Sequence, residues 1–153
     1  MTRVWLGFGA NLGDRQANIE AAIERLGGRI LIARRSAFID TKPVDAGGPD
    51  YLNCVAAGDT DLEPLELLEF TQGIEREMGR MGKGTNGPRP IDIDILLYGD
   101  LILRTPDLTI PHPRMHERAF VLDPLSSLEP NLLHPVQGRS VLELSEALPP
   151  TNC

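Results

Sequence analysis

A chain of 153 residues, 41% hydrophobic and 24% charged, has the length and makeup of a single ordinary globular domain spanning residues 1–153. Its formal net charge of −7 argues against a general nucleic-acid binder, which would carry a basic surface, but leaves room for a local basic pocket. Cys54 and Cys153 form neither a disulfide framework nor a zinc spacing, and the sequence has no leader-like start and no apolar run long enough for a membrane span. A cytoplasmic protein with no membrane partner is therefore expected.

The first strand is expected over Arg3–Gly9, where Val4, Leu6 and Phe8 share a face. Asp14 is placed to cap a helix that runs to Leu26, with Ile19, Ile23 and Leu26 as its apolar stripe and Gly27-Gly28 as its stop. Arg29–Ile39 reads as one long second strand. The run DTKPVDAGGPD, residues 40–50, reads as a loop. A third strand over Tyr51–Ala57 puts Tyr51, Asn53 and Val55 on one face. Asp61 is expected to cap a second helix with Pro64 in its first turn, cored by Leu67, Phe70, Ile74 and Met78. Gln72 and Glu75, three apart, share another face of it. A glycine-rich loop follows from Gly79, then a strand ending near Tyr98. Beyond it come an extended piece at Leu101–Leu103, a Pro/His/Arg segment leading into a helical turn, and a short helix at Val141–Leu148. Strand, helix, two strands, helix and strand predict an α+β fold of ferredoxin-like type with an antiparallel sheet.

The stretch GPRPIDIDIL, residues 87–96, carries the main chemical signal. Asp92 and Asp94 are two residues apart on a strand, so they point the same way about 7 Å apart along the chain. Taken alone, the pair is equally an exposed strand face or a site for Mg²⁺, which takes carboxylate oxygens and completes its shell with water and substrate phosphates. Four cations (Arg76, Arg80, Lys83, Arg89) stand against one anion, Glu77, between residues 76 and 89. Arg76 and Arg80 also suit a helix C-terminus, but Arg89 is pinned between Pro88 and Pro90. The loop GRMGKGT is not a P-loop: its lysine is out of register and it follows a helix. His112 and His116 are four apart, but Pro113 argues against one helix carrying both. Tyr51 with Asn53 offers stacking and an amide to a flat heterocycle, although a half-buried strand pair would look the same.

GFGANLGDR (7–15), PDYLNCV (49–55), GPRPIDIDILLYGD (87–100) and IPHPRMHERAFVLDPL (110–125) resemble the 6-hydroxymethyl-7,8-dihydropterin pyrophosphokinase family over residues 3–135. The resemblance implies a three-layered α/β/α variant of the ferredoxin-like sheet and transfer of pyrophosphate from ATP to the pterin hydroxymethyl group, giving AMP. It implies that Asp92 and Asp94 hold two Mg²⁺ ions bound with ATP, and that Arg80 and Arg89 assist transfer and contact the phosphates. ATP contacts are implied at Gln72, Glu75, Thr109, His112 and Arg118, with Ile95 at the adenine. Tyr51 and Phe120 are implied as the two faces of a pterin sandwich, with Asn53 and Thr41-Lys42-Pro43-Val44 reading the pterin edge. The protein is expected to act as a monomer on these two small molecules, without nucleic acid. A nucleotidyltransferase and a ligand-sensing ferredoxin-like module remain as rival readings.

Overall fold

The computed structural model describes residues 1–41, 50–79 and 90–149. β1 (Thr2–Ala10), β2 (Leu31–Arg35), β3 (Ile39–Thr41), β4 (Tyr51–Thr60) and β5 (Asp92–Tyr98) form an antiparallel sheet in the order β2-β4-β1-β5, with β3 also paired to β4. α1 (Arg15–Leu26) and α2 (Pro64–Glu77) bury Ile19, Ile23, Leu26, Leu67 and Ile74 against Val4, Leu6, Phe8, Leu52, Cys54, Ile93 and Ile95. On the opposite face α3 (Ala119–Leu128) and α4 (Val141–Ala147) bury Val121, Leu122, Leu125, Val141 and Leu144 against Trp5, Val55, Ala57, Leu96 and Leu97. This is the expected α+β, three-layered α/β/α sandwich.

Local chemistry explains most of the boundaries. Asp14 Oδ1 accepts from the Ala17 N–H at 3.1 Å and starts α1, a cap whose loss typically costs about 1 kcal/mol. The long strand expected over Arg29–Ile39 is broken. The Ile30 N–H still bonds back to the Leu26 carbonyl, so β2 begins only at Leu31. At Ser36 the side-chain hydroxyl takes the Val55 N–H at 2.9 Å, and its own N–H bonds to the Val55 carbonyl at 2.8 Å. A side chain thus stands in for one rung of the ladder, and pairing resumes as β3 at Ile39. α2 is capped by Glu63, not by Asp61: Pro64 occupies the first helical position, and the Glu63 N–H donates to Glu66 Oε1 at 2.9 Å. The extended piece expected at Leu101–Leu103 is shifted to β6 (Leu103–Arg104), which pairs with β7 (Thr109–Ile110).

One irregularity bears directly on the site. Along the β1–β5 ladder, Leu6 faces Ile95 and Trp5 faces Leu97, so Leu96 is an extra residue. The bulge resets the alternation. Before it, Ile93 and Ile95 point toward α1 and α2; after it, Leu96 and Leu97 both enter the core beneath α3 and α4.

Candidate active site

The strand period fixes the direction of the two carboxylates. Ile91, Ile93 and Ile95 are 0%, 7% and 5% exposed; each such burial contributes about 1.5–3 kcal/mol, which anchors β5. Asp92 and Asp94 therefore point to the α3/α4 side of the sheet, but at an end those helices leave open: Asp92 is half-buried and Asp94 is exposed.

The register supplies the neighbours. Asp92 lies opposite Gly9 on β1, and Gly9 lies opposite Asn53 on β4. Two strand spacings put the backbones of Asp92 and Asn53 about 9.6 Å apart, with no side chain on Gly9 between them. A Cβ on Gly9 would stand 3.2 Å from Asn53 Oδ1 and 3.5 Å from Tyr51 Cδ1. Glycine at this buried position leaves room for both side chains. Asn53 is buried, and its Nδ2 donates to Thr41 Oγ1 at 2.7 Å. That bond fixes the amide so that Oδ1 is the atom turned toward the space over Gly9. Tyr51 and Asn53 thus share a face as the strand period placed them, and Thr41, which the family resemblance implied, is brought beside them.

Asp94 also lines a cleft of about 280 Å³ along the outer edge of β5. Its wall from α2 includes Leu68, Gln72 and Glu75, its floor Ile93 and Ile95, and its far side Thr109, His112 and the Pro106–Leu108 turn. Glu75 is 3% exposed, and its Oε2 accepts the Ile93 N–H at 2.8 Å, satisfying an edge-strand donor that would otherwise be buried at a cost. The His112 N–H donates to the Leu96 carbonyl at 3.0 Å and docks the segment after β7 onto β5. His112 Nδ1 accepts from the Arg114 N–H at 3.2 Å, so in the neutral ring the proton sits on Nε2. Burial pushes the His112 pKa below its ordinary range; Asp94 opposes this, while Arg118 and Arg114 add to it.

Five residues implied as ATP contacts, Gln72, Glu75, Ile95, Thr109 and His112, line this one cleft. Arg118 is not among the lining residues; its guanidinium carbon sits 5.4 Å from the centre of the Phe120 ring. Phe120 is half-buried at the start of α3 and packs on the cluster that includes Val55, two residues along β4 from Asn53. Arg80, Arg89, Lys42, Pro43 and Val44 lie outside the described residues. Sequence reasoning assigned no role to Gly9. The G-F-G alternation inside a strand was the available signal, because glycine in a strand marks a close approach.

The donor set suits a hard divalent cation. Among the described residues no group of three or more His, Cys, Asp or Glu side chains could hold a metal ion. Asp92 and Asp94 alone match the habit of Mg²⁺, which takes one or two carboxylates and leaves the remaining positions to water and phosphate.

Comparison with known proteins bears on the same residues. The family model of 7,8-dihydro-6-hydroxymethylpterin-pyrophosphokinase (HPPK) matches residues 5–130. A 2-amino-4-hydroxy-6-hydroxymethyldihydropteridine pyrophosphokinase of Pseudomonas aeruginosa is 43% identical over 150 residues, covering 96% of this chain and 92% of that protein. The folic acid synthesis protein FOL1 of Dictyostelium discoideum is 47% identical over 133 residues, which are 86% of this chain but only 20% of that protein. A Plasmodium falciparum HPPK-DHPS structure with pteroate superposes with a TM-score of 0.77 at 16% identity, covering 95% of this chain and 42% of that one; at that identity the likeness concerns the fold. The chain thus spans nearly the whole of a bacterial relative and a minor part of the longer eukaryotic ones.

Proposed function

The chain belongs to the 7,8-dihydro-6-hydroxymethylpterin-pyrophosphokinase family, and from that premise we propose that it transfers pyrophosphate from ATP to 6-hydroxymethyl-7,8-dihydropterin in folate synthesis. ATP occupies the β5-edge cleft through Gln72, Glu75, Ile95, Thr109 and His112, with Arg118 reaching its phosphates. The pterin lies over Gly9, stacked by Tyr51 and Phe120, its edge read by Asn53 and the Thr41-Lys42-Pro43-Val44 segment. One observation carries this arrangement. Asp94 lines the cleft while Asp92 faces Asn53 across Gly9, so the carboxylate pair stands between the two subsites.

Asp92 and Asp94 would hold Mg²⁺, two ions in this proposal, which when bound with ATP neutralises charge on the phosphates. The pterin hydroxyl oxygen attacks the β-phosphorus in line. A new O–Pβ bond forms, the Pβ–O bond to the α-phosphate breaks, AMP departs with the bridging oxygen, and the hydroxyl proton is released. The cleft positions the nucleotide and the Tyr51, Asn53 and Phe120 side chains position the attacking oxygen, and phosphoryl-type transfer depends chiefly on such positioning and on charge neutralisation. Arg80 and Arg89 are assigned to the departing charge on their sequence motif. The protein works as a monomer in the cytoplasm in this reading; no described helix is long and apolar enough to cross a membrane.

Incubation with MgATP and 6-hydroxymethyl-7,8-dihydropterin should yield AMP and the pterin diphosphate in equal amounts. Released pyrophosphate with a nucleotidylated product would instead identify a nucleotidyltransferase and overturn the proposal.

A further inference from the structure

Arg15 stands where a helix does not favour a cation. It is the first residue of α1, and no acidic residue accompanies it in the first turn. The helix dipole disfavours positive charge there by a few tenths of a kcal/mol. Its side chain is used elsewhere. Nη1 donates to Asp40 Oδ1 at 2.7 Å and to the Asp50 main-chain carbonyl at 3.0 Å. Asp40 directly precedes Thr41 and Asp50 directly precedes Tyr51, and Thr41 and Tyr51 are paired in the short β3–β4 ladder. Thr41 in turn accepts the Asn53 amide hydrogen bond at 2.7 Å.

We infer that Arg15 is a positioning residue for the pterin subsite. One guanidinium nitrogen ties the backbone entering Tyr51 to the side chain next to Thr41, and through Thr41 it sets the direction of the Asn53 amide. β3 is only three residues long, so its pairing with β4 has few hydrogen bonds of its own to hold this spacing. The pair is too exposed to matter much to the fold, with side-chain exposures of 32% for Arg15 and 62% for Asp40. Its effect belongs to alignment of the site. The inference rests on the assignment of Thr41, Tyr51 and Asn53 to the pterin.

Arg15→Ala should raise the KM for 6-hydroxymethyl-7,8-dihydropterin about three- to fivefold, the scale of one exposed ion pair. kcat, the KM for ATP and the melting temperature should stay in place. Arg15→Lys, which keeps several donors on one nitrogen, should recover part of the loss. Arg15→Ala combined with Asp40→Ala should be no worse than Arg15→Ala alone, because the two act as a unit. An unchanged pterin KM in Arg15→Ala would overturn the inference. So would a parallel loss in kcat, in both KM values and in melting temperature, which would mark a merely structural residue. Asn53→Ala separates the two levels. If it raises the pterin KM while Arg15→Ala does not, only the role of Arg15 falls. If neither raises it, the pterin assignment falls as well.

Discussion

The two ends of one sheet face make opposite use of the same three strands. At one end Trp5, flanked by Ala57 and Leu97, is 3% exposed beneath α3 and α4. Four residues along β1, about 13 Å away, Gly9 is flanked by Asn53 and Asp92. The strand period is the same at both ends; the covering layer differs. Beneath the helices a buried carboxylate without a partner would cost several kcal/mol, and the two aspartates of this face stand instead toward its more accessible end, Asp92 half-buried and Asp94 exposed. Between Trp5 and Gly9 on the same face, Gly7 is partly exposed and lies opposite Asp94, and a Cβ there would make only ordinary contact with the Leu96 side chain, at 3.5 Å. The carboxylates stand where this face meets solvent, while Gly9 and Asn53 behind them are buried.

The sharpest way to break this comparison is to truncate one residue at each end. Asp92→Ala and Asp94→Ala should each lower AMP formation by about 10²–10³-fold, the scale for removing one group that stabilises transition-state charge. Their urea midpoints should remain near that of the parent. Leu97→Ala, at a position 0% exposed, should do the reverse, costing about 2–5 kcal/mol of stability while the folded fraction keeps its turnover. Near-native turnover in both aspartate variants would remove the carboxylates from the mechanism.

A smaller effect tests the close packing of Asn53 on Gly9. In Gly9→Ala the added methyl meets Asn53 Oδ1 at 3.2 Å, so Asn53 must give by a few tenths of an ångström against its 2.7 Å bond to Thr41. Overpacking of this kind costs about 1–3 kcal/mol, so the pterin KM should rise about tenfold, with ATP binding measured by titration unchanged. Gly7→Ala gains ordinary contacts with Leu96 and should leave both values in place. Equal behaviour of the two variants would show that the spacing of Asn53 over Gly9 does not bear on the pterin.

Much of this is legible in the sequence. Ile–Asp alternation aimed both carboxylates, Tyr51 and Asn53 fell on one face, and the helical stripes identified α1 and α2. Local periodicity carries such information because it depends on neighbours in the chain. What it missed depends on long-range pairing. That Gly9 lies between Asp92 and Asn53 is set by the register of three strands, and the Leu96 bulge appears only when β5 is laid beside β1. The break at Ser36 arose because a hydroxyl competed for the Val55 N–H, a choice invisible in a run that otherwise reads as strand. Glu63 displaced Asp61 as the cap because Pro64 takes the first helical position, although that proline was already visible in the sequence.

The smallest expected effect belongs to the covered half, which hides one polar flaw. His134 is 3% exposed, and its Nδ1 accepts from the Val136 and Gln137 N–H groups at 3.2 and 3.1 Å. Its proton therefore sits on Nε2, which is buried without a hydrogen-bond partner among the described residues. The His116 ring stands edge-on with centroids 5.8 Å apart, and His116 Nδ1 is likewise buried and unpartnered. Burial pushes the His134 pKa below 6.5, and His116 pushes the same way. Well above pH 6.5 neither the folded nor the unfolded ring binds a proton, so this group gives stability no slope there. As the pH falls below 6.5 the unfolded chain takes up a proton that the folded chain refuses, and stability declines by at most about 1.4 kcal/mol per pH unit until the folded value is reached. His134→Asn keeps an acceptor for the two N–H groups and removes the titration. Urea unfolding between pH 7.5 and 5.5 should therefore show a shallower decline in the variant than in the parent, and identical slopes would clear the buried imidazole of any part in acid sensitivity.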